Sequence, residues 1–306
     1  MRPHTAHVLA LALLSLTACR RDESASRPGS VLADAHPPET AAPVASSAPS
    51  AVSSLAAPTP SETASAPSAC EDLVEVGDAG APKKPPRYDV LGVDMSTTSA
   101  LRSVRDAGYA FVMVQAGLGS QANKDFARNW TMARQCGLAR GAYHFLHPVG
   151  DPTQQADLFV RQLDKDLGEL PPVVDVELPP GCKGPCCEVS CEAWASSTSR
   201  WLERVHKTTG RKPMVYTVED FWKECLCNTS RFANHGLWLA GYPTFDLKDR
   251  PGFGGWQKWV MYQHAGNVRY GRAVLDLDVF RGDRAAFDAL VAKTRVAPTG
   301  VDSPNP

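Results

Sequence analysis

Short apolar runs alternate with longer amphipathic stretches from Tyr88 to about Lys293. The runs occupy 90–95, 111–116, 140–146, 172–177, 213–217, 237–242, 260–264 and 273–280, and their length and residue types predict eight strands. Between them, apolar residues recur at helical spacing: Phe126, Trp130 and Ala133 ahead of Gly137; Ala156, Phe159, Leu163 and Leu167 ahead of Gly168; Trp194, Trp201, Leu202 and Val205 ahead of Gly210. Each stretch ends at a glycine suited to a left-handed cap. Repeated strand-helix units predict a parallel sheet, and eight strands are enough to close it into a barrel. After the fifth strand the helical signal fades: 219–227 is brief, and the last three strands are joined mainly by loops. The expected α/β barrel begins as strand-helix repeats and finishes as plain strands.

Outside 87–293 the pattern changes. Residues 1–18 carry Arg2 and His4, an apolar run from Val8 to Leu14 and a small-residue stretch before Cys19, the layout of a secretory leader. That run is far shorter than the roughly 20 residues that span a bilayer. The tetrad Leu16-Thr17-Ala18-Cys19 resembles a bacterial lipobox. It implies lipid on Cys19 and an exported protein anchored to a membrane, in the periplasm or at the cell surface. Residues 19–86 are dominated by Ala, Ser and Pro with few aromatics, which predicts a disordered tether, and 294–306 reads as a flexible tail.

Charge and cysteine content narrow the picture further. The net charge is -1 and no strongly basic block occurs, which argues against a nucleic-acid footprint. Nothing marks an obligate protein partner. Of nine cysteines, setting Cys19 aside leaves Cys70, Cys136, Cys182, Cys186, Cys187, Cys191, Cys225 and Cys227. Export favours disulfides, and the spacing lacks the paired Cys-x-x-Cys of zinc sites, so zinc is the lesser alternative. Connectivity stays open, since eight cysteines allow about 105 pairings. Cys70, ahead of the barrel, is expected to staple the tether to it.

In parallel barrels, functional side chains gather at the carboxyl ends of the strands. That rule selects Asp94, the pair Asp175 and Glu177, Tyr242, Gln263 and His264; Asp276 and Asp278 lie within the final apolar strand. Asp175 and Glu177 are two apart, so they share a face of the strand, about 6.7 Å apart along it. An acid that donates a proton near neutral pH needs a raised pKa, which burial beside other carboxylates supplies, here from Asp94 and Asp276. Asp-x-Glu is a common surface pair; its place at the end of an apolar strand is what singles it out. Tyr143, His144, Tyr242 and Gln263 are the candidates for substrate contact. Gly117, Gly119 and Ala122 imitate a dinucleotide fingerprint, but the acid expected after the next strand is missing, so a tight loop is predicted. No Gly-x-Ser-x-Gly elbow is present. His144 and His147 lack helical metal spacing, and no metal site is expected.

Five ordered motifs carry a resemblance: 92–96 (Gly-Val-Asp-Met-Ser), 137–145, 174–177 (Val-Asp-Val-Glu), 237–242 (Leu-Trp-Leu-Ala-Gly-Tyr) and 275–280 (Leu-Asp-Leu-Asp-Val-Phe). Over about 90–282 the chain resembles a glycoside hydrolase family 25 lysozyme. The resemblance implies an irregular TIM-like barrel with five strand-helix units and three further strands. It also implies hydrolysis of peptidoglycan glycan strands between N-acetylmuramic acid and N-acetylglucosamine, without metal or organic cofactor. It makes Glu177 the general acid and Asp175 the partner of the substrate's own acetamido group, with Asp94 and Asp276 shaping the electrostatics. Two departures stand out. A Lys-Ala-Thr-Glu-Gly-like segment usual after the second strand is replaced by Gln115-Ala116-Gly117-Leu118-Gly119, and a cysteine-rich insertion follows Glu177. They leave open a second reading, a wall-binding protein that uses the same cleft without turnover.

Overall fold

The computed structural model describes residues 69–76, 85, 87–97, 99–242, 247 and 249–295. The leader, Cys19 and the tether up to residue 68 lie outside the described residues, as does 296–306. In chain order the elements are β1 (Leu91–Met95), α1 (Leu101–Asp106), β2 (Phe111–Leu118), β3 (Gln121–Ala122), α2 (Phe126–Gln135), β4 (Ala139–Phe145), α3 (Pro152–Leu163), β5 (Val173–Asp175), α4 (Cys191–Thr209), β6 (Met214–Val218), α5 (Glu219–Cys225), β7 (Leu237–Ala240), β8 (Met261–Tyr270), β9 (Ala273–Phe280) and α6 (Arg284–Arg295). Eight strands close the barrel in the order β1-β2-β4-β5-β6-β7-β8-β9 and back to β1. The irregular TIM-like barrel is thus built from five strand-helix units followed by β7, β8 and β9.

Among the eight barrel strands, pairing is parallel except around β9, which runs against both β8 and β1. Only Gly271 and Arg272 separate β8 from β9, whereas a parallel crossover needs a dozen or more residues, so the reversal is dictated by length. The small β3 pairs antiparallel with β2 across a turn in which Gly119 adopts φ 55°. The glycine-rich stretch after the second strand is therefore a tight hairpin.

Alternation along each strand separates two apolar layers. Phe111, Met113, Tyr143, Val173, Met214, Tyr216, Trp238, Met261 and Phe280 fill the barrel interior. Phe287 of α6 closes its lower end, with ring centroids 5.6 Å from Phe111 and 5.3 Å from Phe280. Gly92 and Gly141 face this packed interior. A Cβ on Gly92 would overlap the Phe111 ring, and one on Gly141 the sulfur of Met113. The opposite faces of the strands pack beneath the helices against Phe159, Trp194 and Trp201.

Three boundaries differ from the sequence reading. α2 and α4 do stop ahead of left-handed Gly137 and Gly210, but α3 ends at Leu163, five residues before Gly168, with Asp164 as its cap. The early stop lets the following loop turn Asp166 and Glu169 onto the buried Arg140 guanidinium at 2.6 and 2.8 Å. The α6 helix carries Thr294 and Arg295, so the ordered domain extends beyond 293. Residues 69–76, placed in the tether by composition, pack on the barrel with Leu73, Val74 and Val76 half-buried against its core. Local sequence did not reveal this because the contacts that hold the segment are long-range.

All eight cysteines among the described residues pair: Cys70 with Cys136, Cys182 with Cys187, Cys186 with Cys225, and Cys191 with Cys227. This replaces the zinc alternative. The last two bridges tie the insertion after Glu177 to the C-terminal end of α5. Trp194 Nε1 donates to the Cys186 carbonyl at 2.9 Å and fixes the insertion against α4.

Candidate active site

The carboxyl ends of the parallel strands converge on five acids. Asp94 lies one residue before the end of β1 and pairs across the ladder with Asp276 of the reversed β9. β5 delivers Asp175, and Glu177 follows it just past the strand. Val176, between them, is held on both sides: its N–H donates to the Tyr216 carbonyl at 2.9 Å and its own carbonyl accepts the Thr217 hydroxyl at 2.7 Å. The backbone that presents the two acids is therefore fixed. Asp278 lies two residues beyond Asp276, so it shares the inward face.

Gln263 of β8 links the group. Its Nε2 donates to Asp94 at 2.7 Å and to Asp276 at 3.4 Å, while its Oε1 accepts the hydroxyls of Tyr216 at 2.9 Å and Tyr242 at 3.1 Å. Trp238 Nε1 donates to Asp278 at 2.8 Å. Asp276 also accepts the backbone N–H of Asn267. Asp175 Oδ1 is buried and, like the second oxygen of Asp278, has no hydrogen-bond partner among the described residues.

Burial is the first cause of every pKa shift here, and like charge adds to most. Burial lifts Asp94 well above the usual carboxylate range, reinforced by Asp278 and Asp276. It does the same to Asp175, with Glu177 adding. Glu177 is pushed up to about 7 by burial and then by Asp276, and Asp278 to about 8, chiefly by burial. Asp276 is also raised, though the Asn267 N–H opposes the shift. Among the described residues, no lysine or arginine contributes to these shifts. An acid titrating near neutrality at the mouth of the barrel suits general acid-base work.

The cluster makes stability depend on pH. Asp278 holds its proton more tightly folded than unfolded, so the folded state is most favoured below the ordinary carboxylate range near 4. That advantage is lost as pH rises towards the folded value of about 8. Melting temperature should fall between pH 5 and pH 8, and Asp278→Asn, which keeps an acceptor for Trp238, should flatten the decline. Equal slopes in calorimetry of the two proteins would count against this account.

The candidate substrate contacts separate into three groups. Tyr143 lies inside the barrel, edge-on to Trp238 at 5.9 Å, and the nearby acids Asp94 and Asp175 add to the burial that raises its pKa. Tyr242 is 63% exposed beside the acids, an open aromatic surface at the cleft. His144 must be corrected. It is 0% exposed, neighbours Tyr143 and so points the other way, against Phe159 and Trp201, where burial pulls its pKa down to about 4. Gln263 is also not a free substrate contact: it is 2% exposed, and four side chains occupy its amide. Tyr216, Trp238 and Asp278 were not among the candidate site residues. Strand alternation was the signal that could have found them.

The family profile described as "Glycosyl hydrolases family 25" matches residues 93–271. The uncharacterized protein YegX of Escherichia coli K12 is 30% identical over 225 residues, covering 70% of this chain and 78% of that protein. An N,O-diacetylmuramidase of Arthroderma benhamiae is 32% identical over 202 residues, covering 64% and 81%. Among solved structures, the bacterial lysozyme from Streptomyces coelicolor superposes with a TM-score of 0.60 at 26% identity, over 68% of this chain and 99% of that one. With more than half its length matching the profile, and Asp94, Asp175, Glu177 and Gln263 of the matched stretch meeting at one barrel mouth, the chain belongs to glycosyl hydrolase family 25.

Proposed function

We infer that the protein is a peptidoglycan hydrolase of the lysozyme type, which cleaves the β-1,4 bond between N-acetylmuramic acid and N-acetylglucosamine. The observation that carries this reading is the unequal pair at the end of β5. Glu177 is half-buried with a pKa near 7, while Asp175 is deeply buried and offers an oxygen with no donor.

The pair supports a substrate-assisted route rather than one in which the enzyme supplies the nucleophile. Glu177 gives its proton to the glycosidic oxygen as the bond from the anomeric carbon to that oxygen breaks. The carbonyl oxygen of the substrate's acetamido group bonds to the anomeric carbon, and the unpartnered oxygen of Asp175 accepts the acetamido N–H. Water then opens the cyclic intermediate, giving its proton back to Glu177. Tyr242 provides an exposed aromatic face for a sugar ring. A wall-binding protein without turnover is disfavoured, because binding alone does not require several buried, mutually repelling acids.

Mass spectrometry of products from digested sacculi tests the function directly. Muropeptides ending in reducing N-acetylmuramic acid are expected, and reducing N-acetylglucosamine would instead indicate a glucosaminidase.

The leader-like segment and the tetrad ending at Cys19 support an exported protein held to a membrane by lipid. Labelled fatty acid should enter the full chain when it is made in bacteria, and Cys19→Ala should abolish incorporation. Undiminished label in that variant would refute the anchor.

A further inference from the structure

We propose that segment 69–76 is a strap that positions Asp276 by holding the tip of the β8-β9 hairpin. The proposal rests on the catalytic reading of the acid cluster. The strap lies outside the residues that match the family profile, which begin at 93.

The hairpin needs outside support. β1 pairs with β9 only as far as Asp276, leaving residues 273–275 without a strand partner on that side among the described residues. The β8-β9 ladder shifts register between Gln263 and Ala265 and again between Ala265 and Val268. Regular pairing resumes only at Val268–Leu275, Arg269–Val274 and Tyr270–Ala273. Beyond the bulge the chain is a short two-stranded ribbon, which is marginal by itself. Yet the bulge performs a function: Asn267, at φ 56°, turns its N–H onto Asp276.

The strap supplies the missing support at several points. At the hairpin tip, Arg272 N–H donates to the Glu75 carbonyl at 2.8 Å. Gly271, at φ 62°, packs so closely that a Cβ there would overlap the backbone of Val76 and Glu75. Moving back along the strap, Leu73 N–H donates to Ser99 O at 3.2 Å, and Asp72 accepts both the N–H and the hydroxyl of Ser103 in the first turn of α1. The Cys70–Cys136 bridge fastens its start to the end of α2. The strap thus links α2 and α1 to a hairpin tip whose Arg272 is four residues from Asp276, about 13 Å along the strand.

Asp276 faces Asp94 of β1, Tyr143 of β4, Glu177 after β5, Tyr242 after β7 and Asp278 on its own strand, with the neutral Gln263 amide facing it from β8. Its charge helps raise Glu177. Loosening the hairpin removes the Asn267 donor and carries Asp276 away from Glu177, and both changes lower the pKa of Glu177.

Two independent variants of the full chain test this, Gly271→Ala at the tip and Cys70→Ser with Cys136→Ser at the anchor. Carbon-13 carboxyl titration of Glu177 should show a downward shift of about half to one pH unit in both, and kcat/KM at pH 7 should fall about two- to fivefold. Glu75→Ala retains the backbone acceptor and should behave as wild type. A lower melting temperature with the Glu177 titration unmoved would reduce the strap to a stability element and overturn the proposal, as would no change in either property. Titration needs no turnover, so it decides the matter even if wild type released no muropeptides, an outcome that would overturn the functional reading alone.

Discussion

Glu177→Gln should lower kcat on peptidoglycan by about 10²- to 10⁴-fold with little change in KM, the loss expected when a general acid is removed and binding is kept. That range corresponds to about 3 to 5 kcal/mol of transition-state stabilisation. The wild type should lose activity as pH rises through about 7, because Glu177 must carry its proton to act, and this basic limb should vanish in the variant. Leaving-group chemistry sharpens the test. A glycoside whose leaving group departs without protonation should be cleaved almost as well by Glu177→Gln as by wild type. Equal losses on activated and unactivated substrates, or a surviving basic limb, would mean that another residue is the acid.

The acids of this site were legible because two simple regularities coincide. Strand periodicity located β1, β5 and β9, and the convergence of strand ends in a parallel barrel gave Asp94, Asp175 and Glu177 a common destination. The reversed β9 needed a different argument. Its Asp276 is near the start of the strand, and the antiparallel direction is what brings it opposite Asp94.

What escaped the sequence has physical reasons. Tyr143 and His144 are adjacent on β4, so only one of them can face the interior; alternation gives that place to Tyr143. Gln263 looked like a substrate contact because its partners are far away in sequence, Asp94 lying 169 residues earlier. The function of Asp278 depends on complete burial beside Trp238, which an acid in an apolar strand does not by itself announce. The strap was hidden in the same manner, because a segment of tether-like composition is secured by a bridge to Cys136, 66 residues away.

Asp175→Asn separates the two acids of the β5 pair. Its expected effect is a loss of about 10²- to 10³-fold in kcat, the scale of removing one preorganised electrostatic partner from a transition state. Unlike Glu177→Gln, it should affect activated and unactivated leaving groups alike, since both need the acetamido oxygen to attack. The basic limb should remain, because Glu177 is still the acid and burial and Asp276 still raise it. The substrate provides the decisive comparison. On a glycan whose muramic acid lacks its N-acetyl group, there is no acetamido N–H for the unpartnered Asp175 oxygen to accept and no carbonyl to attack. Wild type and Asp175→Asn should then be equally poor, while on acetylated strands they differ by the full factor. A variant that stayed slower than wild type by the same factor on both glycans would place the role of Asp175 elsewhere than at the acetamido group.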